Sequence, residues 1–214
     1  MVISLQPNLN NTPASGGGHL PRNRPRLLWV LAALALLAGA GIAYSWAAHR
    51  RLHFACVEPG VLYRSGQPSG SQLAAMAREQ HIRTVINLRQ AATIERDKRG
   101  VEEMEFAKLH GLRYVNIPYT DSKARSQIPE FLALVADPAN RPVLVHCAEG
   151  IERSGVMVAA FRMKTQGWSL AQALAEMRQF GYKRDKSPGM QRAVEEFAAS
   201  LTRTEPPAKP PDAP

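Results

Sequence analysis

A chain of 214 residues with one long apolar stretch near its start leaves room for a single folded domain of ordinary size. Its hydrophobic share of 45% and charged share of 21% exclude wholesale disorder and a multi-span membrane protein, and its two cysteines exclude a disulfide framework or a cysteine-rich zinc site. The net charge of +9 is partly local to Arg22, Arg24, Arg26, Arg50 and Arg51, which flank the apolar stretch. No basic-aromatic stripe accompanies the remainder, so nucleic acid is not an expected partner.

Residues 1–26 are rich in Asn, Pro, Gly and Ser, carry Gly16-Gly17-Gly18, and read as a flexible tail. The uncharged run LLWVLAALALLAGAGIAYSWAA over 27–48 is long enough to cross a hydrocarbon core of about 30 Å and predicts one transmembrane helix. Trp29 near one end and Tyr44 and Trp46 near the other sit where aromatic rings meet the membrane interfaces. A cleaved signal peptide is the competing expectation, since Ser45-Trp46-Ala47 has small residues at the right offsets, but the run exceeds the usual apolar length. Three arginines before the run and two after it lean toward an N-terminus in the cytoplasm. That places the domain on the periplasmic side of a bacterial inner membrane, an oxidising compartment that fits poorly with a working thiol.

Residues 53–203 alternate between short β-branched or aromatic runs and longer helical patterns. VLYRS (61–65), TVINL (84–88), YVNIP (114–118) and PVLVH (142–146) predict strands. Between them, Ser69 or Ser71 caps a helix reaching about His81, residues 95–110 form a charged amphipathic helix, and Pro129 opens a third ending near Asp137. Beyond His146 the pattern is helical only, over 154–166, 169–180 and 189–201, with Gly167, Gly181 and Ser187-Pro188-Gly189 as breaks. Trp168, Leu170, Ala173, Leu174 and Met177 are expected to form the packed face of one of these helices. The alternation predicts an α/β fold with a central, mainly parallel sheet flanked by helices. The proline-rich run over 204–214 reads as a disordered tail.

The chemistry concentrates in HCAEGIERS, residues 146–154. A strand, a tight loop and a helix start aim successive backbone N–H groups at one point, which holds an oxyanion and favours a thiolate at Cys147. Arg153 can lay a planar fork over such an anion, and Gly150 fits a place where a side chain would obstruct the turn.

HCAEGIERS matches His-Cys, five residues, then Arg-Ser, and so resembles the cysteine-based protein tyrosine phosphatase superfamily. VLYRSGQPS (61–69) and IRTVINLR (82–89) resemble the N-terminal part of bacterial dual-specificity-like phosphatases and their plant and fungal relatives, so the likeness runs from about Val61 to Leu201. The resemblance implies a phosphocysteine intermediate on Cys147, phosphate binding by Arg153, and help from Ser154 to the departing thiolate. His146 would tune the thiolate, and His146, Ala148, Glu149, Gly150, Ile151 and Glu152 would line the phosphate site. No metal or organic cofactor is implied.

Asp121, beyond the strand YVNIP, is the expected general acid, with Glu152 inside the loop as the second candidate. Glu149 and Glu152 would repel a densely charged substrate and weigh against highly phosphorylated inositols. Arg64 and Arg89 are read as solvated or weakly paired and left outside the site, and a disulfide between Cys56 and Cys147 would need the fold to bring them together. The expected function is a membrane-anchored phosphatase acting on phosphotyrosine or with dual specificity, its partners a phosphorylated protein or lipid. The alternatives are a membrane-lipid phosphatase of the same mechanism, a rhodanese-type sulfurtransferase, and a pseudophosphatase that binds phosphate without turnover.

Overall fold

The computed structural model describes residues 28–40 and 52–204. The chain divides into two units, residues 1–45 and 46–214.

In the first unit the described residues form one helix, α1, over 28–40. No helix among the described residues is long and apolar enough to cross a membrane, which leaves the span expected over 27–48 without support. The membrane partner, the inner-membrane location and the periplasmic lean rested on that span and fall with it. Residues 41–48 of the expected span and the tail over 1–26 lie outside the described residues.

The second unit is built on five strands, β1 (Ala55–Glu58), β2 (Leu62–Ser65), β3 (Thr84–Asn87), β4 (Arg113–Asn116) and β5 (Val143–His146), in the order β1-β2-β5-β3-β4. Only β1 pairs antiparallel; the other four strands run parallel, as the alternating pattern predicts. The strand β5 lies at the centre with all four of its residues buried. Side chains alternate across it: Val143 and Val145 enter one core, with Leu62 and Ile86, and Leu144 enters the other, with Tyr63 and Val85. Hydrophobic cores on both faces give the three-layer arrangement that a mainly parallel sheet requires.

Around the sheet lie α2 (Gly70–Gln80), α3 (Ala91–Arg96), α4 (Lys98–Leu109), α5 (Ala124–Ala136), α6 (Glu152–Gln166), α7 (Leu170–Gln179) and α8 (Pro188–Thr204). Ser69 and Ser169 cap α2 and α7, each through a capping box with a glutamine three residues on. Ala173, Leu174 and Met177 of α7 are buried, with Trp168 and Leu170 packed against the same core.

Two predicted helices are drawn differently. The one expected over 95–110 breaks at Asp97, whose extended backbone caps α4 while its side chain accepts from Arg99 N–H. Pro129 lies inside α5 rather than opening it, because a 3-10 turn at Asp121–Lys123 starts the segment earlier. Burial of Ala124, Ile128, Phe131 and Val135 on one face holds this helix through the hydrogen bond the proline cannot make. The helix α8 runs through Thr204, one residue into the expected C-terminal tail, and the rest of that tail lies outside the described residues.

Candidate active site

The loop at residues 147–151 leaves the C-terminal end of β5 and enters α6, which begins at Glu152, two residues earlier than predicted. Cys147 is 2% exposed, Gly150 donates its N–H to the thiol at 3.2 Å, and Ser154 Oγ lies 3.6 Å from Sγ. Burial alone pushes this thiol up. Hydrogen bonds from the Ser154 backbone and side chain, the Arg153 charge and the Gly150 amide outweigh burial and hold it below the usual thiol range.

The loop carbonyls explain why its amides are free to face inward. The carbonyl of Cys147 accepts from His146 Nδ1 at 3.2 Å, that of Ala148 from Gln67 N–H at 2.9 Å, and that of Glu149 from His53 Nδ1 at 2.7 Å. The carbonyl of Gly150 accepts from Arg64 Nη2 at 2.7 Å. Four successive carbonyls are thus turned outward into donors, and the N–H groups between them are left for an anion. The segment just before β1 joins this brace, since Leu52 also accepts from Gly66 N–H at 2.5 Å.

Gly150 is required on two counts. Its φ is +77°, and a Cβ there would fall 2.6 Å from Gly66 N and 2.7 Å from the Ser65 carbonyl carbon. Backbone cannot yield as a side chain can. Gly150→Ala is therefore expected to cost about 3 kcal/mol, a Tm drop of roughly 10 °C, and to lower kcat/KM at least about a hundredfold. Thermal denaturation beside steady-state kinetics checks both; a variant with wild-type Tm and turnover would contradict the required geometry.

The expected site residues divide into those the loop gathers and one it does not. The loop gathers Gly150, Arg153 and Ser154 at Sγ, while Ala148 and Glu149 are exposed. Arg153 is half-buried, and its Nη1 donates to the Leu88 carbonyl at 3.3 Å. Asp121 stands apart on the 3-10 turn after β4, exposed, with its carboxylate against Gly189 at the start of α8. A Cβ on Gly189 would fall 1.8 Å from Asp121 Oδ2, so the missing side chain makes room for the carboxylate. Glu152 accepts from Ser187 Oγ, and the Asp121 carboxylate makes no hydrogen bond among the described residues. Burial raises the Tyr182 hydroxyl, and the charges of Glu152 and Asp121 raise it further, so both carboxylates lie within electrostatic reach of Tyr182.

Sequence reasoning missed Arg64. It is 1% exposed, stacks its guanidinium 3.8 Å from the Phe180 ring centroid, and is lowered to about 10, first by burial, with Glu176 and Cys147 acting against that. The available signal was strand alternation: Arg64 shares a face with buried Leu62, and an inward arginine demands acceptors. Arg89, also set aside, is buried and bonded to Gln67 Oε1 at 2.6 Å and Asp97 Oδ2 at 2.7 Å. Cys56 is exposed and Cys147 buried, both as free thiols, so the pairing considered between them is not formed.

A model of the tyrosine phosphatase family matches residues 50–210, spanning the whole site. The chain belongs to this family. It is 35% identical over 141 residues to inositol diphosphatase DSP1 of Oryza sativa subsp. japonica, covering 60% of this chain and 57% of that protein. With dual specificity protein phosphatase TpbA of Pseudomonas aeruginosa it shares 29% identity over 177 residues, 75% of this chain and 76% of the other. Inositol diphosphatase SIW14 of Saccharomyces cerevisiae is 25% identical over 134 residues, 60% of this chain and 45% of that protein. The chain spans about half the length of the curated relatives it matches first. The crystal structure of TpbA superposes with a TM-score of 0.52 at 25% identity, covering 71% of this chain and 91% of the other. The SIW14 core shares the fold at a TM-score of 0.55 and 24% identity, over 70% and 88% of the two chains. This phosphatase-family domain therefore carries a mixed sheet flanked by helices, as its relatives do.

Proposed function

We propose that this protein hydrolyses phosphomonoesters, phosphotyrosine or with dual specificity, through a phosphocysteine intermediate in a catalytic domain over residues 53–203. The observation that carries the reading is a buried thiol, held toward its thiolate form, inside a loop whose carbonyls are all bound from outside. Cys147 attacks phosphorus in line, the bond to the leaving oxygen breaks, and an acid protonates that oxygen. Water then attacks the phosphocysteine, inorganic phosphate departs, and Ser154 hydrogen-bonds the returning thiolate. Amides of the loop and the Arg153 fork carry the equatorial charge throughout.

Asp121 is the acid in this reading, because Glu152 is already engaged by Ser187. Asp121→Asn should lower kcat about a hundredfold to a thousandfold on phosphoserine-type esters and much less on aryl phosphates with good leaving groups. Glu152→Gln should lower it less than about tenfold. The reverse order in steady-state kinetics would make Glu152 the acid.

A second reading, hydrolysis of an inositol diphosphate, is supported by the likeness to DSP1 and SIW14. The repulsion expected from Glu149 and Glu152 is weaker grounds against it, since Glu149 is exposed and Glu152 is tied to Ser187. The lipid-phosphatase alternative leaned on a membrane span and has lost that support. The purified chain, assayed under reducing conditions on a phosphotyrosine peptide, an inositol diphosphate, phosphatidylglycerophosphate and thiosulfate, separates these readings by the substrate preferred. A folded protein that binds phosphate but turns over none of them would be a pseudophosphatase.

A further inference from the structure

Glu103 is a buried charge to which the chemistry above gives no part. It lies on the α4 face made by Gly100, Glu103 and Ala107, and its Oε1 is 2.7 Å from His146 Nε2, both side chains being 0% exposed. Its other oxygen accepts from Asn87 Nδ2 at 2.8 Å and Gln67 Nε2 at 3.1 Å, with the Tyr114 hydroxyl at 3.5 Å. Five polar groups from separate elements therefore converge directly behind the nucleophile.

The His146 ring faces an oxygen at each nitrogen: a carboxylate at Nε2 and the Cys147 carbonyl at Nδ1. A carbonyl can only accept, so Nδ1 carries a proton, and a carboxylate at ion-pair distance from Nε2 favours a proton there as well, although Nε2 and Oε1 are not aligned for a hydrogen bond. The tendencies of the pair agree. Burial pushes His146 down and Glu103 up, yet the attraction of their opposite charges reverses both, holding His146 above and Glu103 below their ordinary ranges. The surrounding charges are few: Cys147 faces the ring from the loop, Tyr114 faces Glu103 from β4, and Arg89 reaches the cluster through Gln67 and pairs with Asp97. Arg153 and Arg64 interact with the thiol through their charges.

We propose that Glu103 is a positioning residue for the reaction at Cys147: by holding His146 as a doubly protonated ring, it keeps the Cys147 carbonyl turned out of the phosphate cradle and a cation beside the nucleophile. This rests on the phosphatase reading above. Glu103 touches no reacting atom; it acts through His146, one residue from the thiol.

The test is the pH dependence of Cys147 alkylation by iodoacetamide, in the full chain carrying Cys56→Ser so that one thiol remains. Glu103→Gln removes the charge at nearly constant volume and should raise the thiolate midpoint by about one pH unit, slowing alkylation about tenfold below it. Glu103→Asp, with the charge on a shorter arm, should recover part of that shift. His146→Asn should raise the midpoint by a similar amount, and adding Glu103→Gln to it should add nothing. A midpoint unmoved in Glu103→Gln, whatever its Tm, would overturn the proposal, as would fully additive shifts. If Glu103→Gln does not fold, an unmoved midpoint in both His146→Asn and Glu103→Asp would overturn it equally. Alkylation needs no substrate, so a wild-type chain without turnover would sink the phosphatase reading and leave this measurement intact.

Discussion

Cys147→Ser is expected to abolish turnover, by about five orders of magnitude or more in kcat, while the domain keeps its fold and its affinity for inorganic phosphate. The thiol is buried at the end of the central strand, with the amides of Gly150 and Ser154 and the charge of Arg153 directed at it. These groups stabilise a thiolate, and a serine hydroxyl in the same place stays protonated because its pKa lies far above the range they can reach. Serine would also be a poor leaving group in the second step. The loop itself loses nothing, since its carbonyls are held by Arg64, His53, Gln67 and His146 rather than by sulfur. Calorimetric titration with phosphate beside a turnover assay separates the two effects. A serine variant that turns over substrate at even a hundredth of the wild-type rate would rule out the phosphocysteine route.

Arg153→Lys should lower kcat/KM about a thousandfold although the positive charge is conserved. Arg153 is the second residue of α6, and its Nη1 is spent on the Leu88 carbonyl at 3.3 Å, which orients the plane of the guanidinium. The remaining donors are free to meet two equatorial oxygens in parallel, a match that an ammonium cannot reproduce. Lysine keeps much of the electrostatic pull on Cys147, so the alkylation midpoint of the thiol should move little while turnover collapses. That split distinguishes shape from charge. A loss below about tenfold would mean that charge alone suffices, and a large rise in the midpoint would mean that arginine works mainly by activating the thiol.

The loop around Cys147 was legible in the sequence because its geometry is local. Within HCAEGIERS a strand end, a glycine at positive φ and a helix start lie inside nine consecutive residues, so spacing alone brings Cys147, Gly150, Arg153 and Ser154 around one point. The four parallel strands and most helix boundaries were legible too, since their apolar periodicity is written along the chain. The antiparallel strand β1 was not, because ACVE is short and its burial pattern, with Cys56 exposed beside buried Val57, has little periodicity to read.

Composition and spacing by themselves determined the α/β class and singled out the loop that carries Cys147 and Arg153. Only the tertiary structure decided what surrounds that loop. Of Glu102, Glu103 and Glu105, three similar residues on one helix, it buries Glu103 against His146, and the sequence contains no local term that chooses among them beyond their place relative to Gly100 and Ala107. Arg64 reaches Gly150 across 86 residues and His53 reaches Glu149 across 96. Such contacts are settled by which elements pack side by side, and that choice belongs to the whole fold, because a buried charge is stable only where its partners arrive with it.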